Sequence, residues 1–168
     1  MKSLSRIGLL LSLIAIVLLL GGIASEGVAQ QGGGAPKVLE WDVMIGVPKP
    51  YTGGANAIRG VPGGGVPWVV EEADGELRTD GSIEIRVRGL VLADRGTNPS
   101  ATFRAVVSCL SIDDDGLPIV VNLPTDPFPA DINGDADIED QVELPDPCIA
   151  PIVFVTSGGG SWFAATGF

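Results

Sequence analysis

Glu76-Leu-Arg-Thr-Asp-Gly-Ser-Ile-Glu-Ile-Arg-Val-Arg88 is the stretch that decides the fold class. Ile83, Ile85 and Val87 alternate with Glu84, Arg86 and Arg88, the period-two pattern of a strand with one face in a core and one in water. Asp80-Gly81 separates this run from residues 76–78. Asp-Gly between alternating runs is a preferred two-residue hairpin signal, because both turn positions take positive φ. An antiparallel hairpin is predicted here, with residues 89–92 continuing its second strand past a bulge at Gly89.

The same pattern recurs on both sides. Residues 38–45 place Leu39, Trp41, Val43 and Ile45 opposite Glu40 and Asp42. Residues 68–72 and 75–78 read as one interrupted strand or as two. Residues 101–112 and 117–123 flank an acidic turn at 113–116, and residues 136–144 alternate again. Residues 152–156 and 162–166 flank Ser-Gly-Gly-Gly-Ser, a final hairpin. Between 48 and 67 lies a Gly/Pro-rich connection. No window beyond the N-terminal segment repeats apolar residues at helical spacing. Antiparallel strands with one apolar face bury it by pairing two sheets or closing on themselves. The expected fold is a single antiparallel β-sandwich of about eight or nine strands, with a β-barrel as the alternative.

The first 29 residues carry Lys2 and Arg6, an apolar run over 7–20, and small residues at 22–24 and 27–29. This is the layout of a secretory signal peptide. The alternative is an uncleaved membrane anchor, with the rest of the chain exported in either case. Residues 30–36 (QQGGGAP) read as a flexible leader, and 37–168 as one domain.

The 168 residues contain 10 Lys+Arg, 21 Asp+Glu and no His, a net charge of −11. Without the signal the balance is 8 basic to 20 acidic, or −12. That charge excludes nucleic acid and anionic membrane surfaces as expected partners, leaving an extracellular or cell-envelope ligand. The absence of His removes His-dependent triads and His-based metal sites. Ser108 and Ser111 have no evident activating base. A carboxylate-pair hydrolase is the least favoured reading, because so many acids make a pair uninformative. A non-catalytic protein is expected.

Two cysteines in an exported chain point to one bridge, Cys109–Cys148. Asp131, Asn133, Asp135 and Asp137 reproduce the 1, 3, 5, 7 oxygen spacing that opens a calcium loop, but Ala136 and Val142 stand where that loop takes Gly and Glu. Two readings stay open: a calcium-dependent binding module, or an Asn-Gly turn leading into an edge strand with an acidic face. No other cofactor is expected. The Asp113-Asp114-Asp115-Gly116 cluster is first a turn signal. The 58–68 loop fails the phosphate-loop pattern and exposes or packs Trp68. Trp68 and Trp162, with Trp41 and Tyr51, form either a sugar-stacking platform or core. Trp162 and Phe163 are adjacent and point to opposite faces, so one of them is a candidate for exposure.

The segments Ile58-Arg-Gly-Val-Pro-Gly-Gly-Gly-Val-Pro-Trp68, Arg88-Gly-Leu-Val-Leu-Ala93, Thr97-Asn-Pro99, Phe103-Arg-Ala-Val-Val-Ser-Cys109 and Leu144-Pro-Asp-Pro-Cys-Ile-Ala-Pro-Ile-Val-Phe-Val-Thr156 together resemble a group of exported bacterial proteins to which no activity is assigned. The resemblance covers nearly the whole chain after the signal. It implies export, a single all-β domain and two paired cysteines. It implies nothing about mechanism.

Overall fold

The hairpin forms, with a turn one residue longer than expected. A computed structural model describes residues 34–166, so the expected signal peptide (1–29) and residues 30–33 of the expected leader lie outside the described residues. The Gly81 amide donates to the Arg78 carbonyl at 3.0 Å, and Gly81 alone in this turn has positive φ, +84°. Three residues therefore connect the strands, a common hairpin variant with glycine in the left-handed position. Asp80 accepts from the Ser82 amide and hydroxyl. A Cβ at Gly81 would lie 1.8 Å from the Val142 carbonyl oxygen, so conformation and close approach both demand glycine there.

Among the described residues fourteen strands run in chain order. The first seven are β1 Lys37–Trp41, β2 Ile45–Gly46, β3 Gly53–Ile58, β4 Val61–Gly63, β5 Trp68–Val69, β6 Glu72–Arg78 and β7 Ser82–Arg88. The others are β8 Val91–Leu92, β9 Thr102–Ile112, β10 Pro118–Pro124, β11 Phe128–Pro129, β12 Ala136–Gln141, β13 Ile149–Thr156 and β14 Trp162–Ala165. The protein is all-β, and one 3-10 turn, Lys49–Tyr51, is the sole helical element among the described residues. A four-stranded sheet has the order β1-β6-β7-β12. A larger sheet runs β10-β9-β13-β14-β4-β3, with β11 added to β9 and β2 to β14. β5 and β8 form a separate pair. Pairing between named strands is antiparallel except for β14 with β4.

Five details depart from the sequence reading. The strand count is higher than eight or nine because several elements are only two or three residues long. Residues 38–45 are two strands in different sheets: the chain bends at Asp42, burying Met44 and leaving Val43 and Ile45 exposed. The 48–67 connection holds β3 and β4, joined by Arg59-Gly60 with φ of 50° and 81°. Two positive-φ residues between paired Ile58 and Val61 make a tight mirror-image turn. Residues 89–92 do not extend β7, because β8 leaves to pair with β5. The leader is fastened at its end: Arg78 donates to the Ala35 carbonyl and Thr79 to that of Pro36.

Residues paired across strands share a sheet face, so the registers assign the core. Phe103, Ala105, Val107 and Cys109 of β9 share a face with Val153 and Val155 of β13, and all six are fully buried. Leu77, Ile83, Ile85, Val87 and Ile138 supply the core face of the four-stranded sheet. Trp68 stacks on Phe163 at 3.8 Å, and both meet Phe103 edge-on.

The larger sheet is also covered on its other face. The β3–β4 tip folds back over β9 and β10: Arg59 donates to the Ser108 carbonyl at 2.8 Å, and Asn122 donates to the Arg59 carbonyl at 3.0 Å. Beneath this curl, Val106 pairs with Phe154, and Thr156 pairs with both Arg104 and Trp162. Trp162 lies against Phe154 and Tyr51. The sheet is therefore a half-barrel wrapped around a second cluster. The ladder slips one residue between Val155 and Thr156. Trp162 and Phe163 thus enter different clusters, and both are buried, which corrects the expectation that one is exposed.

Candidate functional site

The sequence-derived candidates do not converge on one place. Trp68 and Trp162 are 5% and 1% exposed, so neither offers a stacking face to solvent, and the platform reading gives way to core packing. Cys109 and Cys148 are joined in a disulfide.

The acidic loop satisfies its own backbone. Asp131 Oδ1 accepts from the amides of Asn133 and Asp135 at 2.9 and 3.0 Å, and its other oxygen accepts from the Asn133 side chain. Asp135 turns away to accept from the Gly89 amide, and Asp137 pairs with Arg88 at 2.7 Å. The carboxylates of Asp131, Asp135 and Asp137 thus have separate partners, and the Asn133 side chain donates to Asp131. Among the described residues no group of three or more acidic side chains is arranged to hold a metal ion.

These bonds leave a titration signature. The Asp135 and Asn133 amides hold the Asp131 carboxyl below its ordinary value of 3.8, because hydrogen bonds to the charged form favour it. A depressed folded-state pKa contributes stability above the ordinary value, lost as pH falls through the lower folded value. Asp131→Asn is therefore expected to lower the melting temperature at pH 7, with the gap to the parent closing as pH drops below about 3.8. Paired thermal melts from pH 7 to pH 2 check this. A gap that stays constant would show that the carboxylate charge plays no part.

Register creates a feature that periodicity could not show. Glu40 pairs with Glu76, Glu76 with Glu84, and Glu84 with Glu139. Four glutamates therefore stand in one row across the outer face of the four-stranded sheet. The next row places Asp74, Arg86 and Asp137 side by side. Above them is a trough of about 460 Å³, floored by both rows and reaching Asp42 and Arg88. Like charges directly opposite one another in a sheet are unfavourable. At one end of the row Lys37 resolves this: its ammonium bridges Glu40 and Glu76 at 2.5 and 2.7 Å, and Arg78 also pairs with Glu76. The Lys37 hydrogen bond, followed by that of Arg78, holds the Glu76 carboxyl below its ordinary value of 4.5. Glu84 and Glu139 form no ion pair among the described residues.

The sequence named none of these glutamates as a site. Their alternation was visible, but the row needs four strands in register, two of them brought from residues 37–41 and 136–141. Comparison with protein-family models, curated proteins and solved structures gave no match.

Proposed function

We propose that this chain is an exported, non-catalytic binding protein whose outer acidic face takes a cationic partner bearing primary ammonium groups. One observation carries the reading: Lys37 bridges the Glu40–Glu76 pair, while the equivalent Glu84–Glu139 pair has no such cation among the described residues. A lysine side chain of a partner, or a polyamine, would complete the second pair as Lys37 completes the first. The charge of −11 supports capture of cations by raising their local concentration. The disulfide supports residence in an oxidising compartment. The trough offers carboxylates that suit ionic contacts with a bound ammonium group.

Calorimetric titration of the protein with hexalysine and with spermine tests the reading. Binding is expected at low ionic strength and should weaken steeply with added salt, because the contacts are exposed. The double variant Glu84→Gln/Glu139→Gln should bind about ten-fold more weakly. It should also melt at the same or a higher temperature, since removing a like-charge cross-strand pair relieves about 0.2–1 kcal/mol. Unchanged affinity in the double variant, or no binding by the parent, refutes the assignment.

A further inference from the structure

A second concavity, of about 310 Å³, opens at the end of the curled sheet. Its charge is opposite to that of the trough. It lies between the β3–β4 tip, the start of β9, the end of β10 and the Ser157–Ser161 turn, and its walls include Arg104, Asn122, Val61, Val106 and Pro124. No acidic side chain lines it.

Arg104 is the unusual group. It forms no ion pair among the described residues, although the chain carries twice as many acids as bases. Its Nε is buried without a hydrogen-bond partner. Burying part of a guanidinium with no compensating acceptor is unfavourable, and a planar fork of this kind fits a carboxylate through two parallel bonds. Thr156, its cross-strand neighbour, directs its hydroxyl to the Arg104 carbonyl instead of the guanidinium.

The turn beside it is bare backbone. Gly158, Gly159 and Gly160 line the concavity. A Cβ on Gly158 would meet nothing within 4 Å, and Gly158 does not have positive φ, so neither packing nor conformation requires glycine there. The amides of Gly158 and Gly159 donate to no backbone carbonyl among the described residues. Unbonded amides next to a guanidinium form an electropositive lining on a short patch of an otherwise acidic molecule. The remaining wall, Val61, Val106 and Pro124, is apolar.

We propose that this end of the curl binds a small aliphatic carboxylate, its two oxygens on the two terminal amino groups of Arg104 and its hydrocarbon body against Val61, Val106 and Pro124. The volume is at the lower limit for small-molecule sites, which selects a short branched acid over a larger ligand. The same chemistry is offered by a free acid and by the C-terminal carboxylate of a peptide ending in an aliphatic residue.

Amide spectra of the full chain, titrated with isovalerate, isovaleramide, acetyl-Ala-Val and acetyl-Ala-Val-amide, test the proposal. The expected result is a saturable shift of the Gly158–Gly160 amides with at least one of the two acids and none with either amide. Arg104→Gln should abolish it. Arg104→Lys, which keeps the charge and loses the fork, should weaken it about ten-fold. Melts of both variants verify that they fold. If isovalerate binds and acetyl-Ala-Val does not, the ligand is a free acid. If the peptide acid binds as well or better, it is a chain terminus. Equal binding of acids and amides, no binding, or binding that survives Arg104→Gln overturns the proposal. Glu84→Gln/Glu139→Gln should leave this titration unchanged, so its outcome is separate from that of the acidic face.

Discussion

Trp162→Ala is expected to destabilise the protein by about 3–5 kcal/mol, the range for removing a large aromatic from a core. At this size each kcal/mol is worth about 3–5 °C, so the melting temperature should fall by 10 °C or more. Trp162 is 1% exposed and stands between Phe154 and Tyr51, with ring centroids at 6.0 and 6.4 Å. It fills the second cluster, beneath the β3–β4 tip, where few other large side chains could close the void. Its Nε1 is buried without a partner, so Trp162→Phe loses ring volume but no hydrogen bond. That variant should cost well under half as much. Urea unfolding of the three proteins measures the series. A loss below about 1 kcal/mol for Trp162→Ala would mean that the face beneath the curl is not packed in solution.

Removing the disulfide should have an effect of similar size through the unfolded chain. Cys109 and Cys148 are 39 residues apart, and closing a loop of that length restricts the denatured ensemble by about 4 kcal/mol in the chain-entropy model. There is a native-state part as well. Cys109 lies on the buried face of β9, and Cys148 immediately precedes β13. The β9–β13 register slips between Ile149 and Ile152, so the bridge holds together the end of a ladder that its own hydrogen bonds hold irregularly. Cys109→Ala/Cys148→Ala is expected to lower the urea midpoint. Reductant should lower the midpoint of the parent to a similar value while leaving the variant unaffected. Equal midpoints for parent and variant would remove the bridge from the stability of the fold.

Legibility in the sequence followed the range of the interaction that decides each feature. β7 and β9 were readable because alternation and β-branched residues lie within the strand itself. The hairpin at Asp80 was readable from two residues, although its turn takes one residue more. β3 and β4 were missed because Gly53-Gly-Ala-Asn-Ala-Ile58 has no apolar face and its turn uses Arg59 at positive φ. That conformation is uncommon outside glycine, asparagine and aspartate. Arg59 holds it while anchored to the Ser108 carbonyl, 49 residues away.

The exposure of Trp162 or Phe163 was misjudged for a related reason. Alternation gives opposite faces, and only the curl of the sheet decides that neither face is wet. The acidic row depends on three registers, and the Arg104 concavity on two hairpins distant in sequence. Asp131–Asp137 shows the converse limit. Its spacing is that of a metal loop, yet its three carboxylates each have another partner: nearby amides for Asp131 and Asp135, and Arg88 for Asp137.

β14 is the last strand in chain order, yet it lies inside the larger sheet, between β13 and β4 and paired with β2 as well. A chain still being synthesised cannot close that sheet until residues 162–165 have been made. Until then β13 and β4 both present open edges, and the Trp68–Phe163 stack lacks one ring. A chain shortened by even these few residues loses an inner strand and two buried aromatics together. The larger sheet is therefore closed by the strand made last among those described, and the two edges it covers are joined by that strand alone.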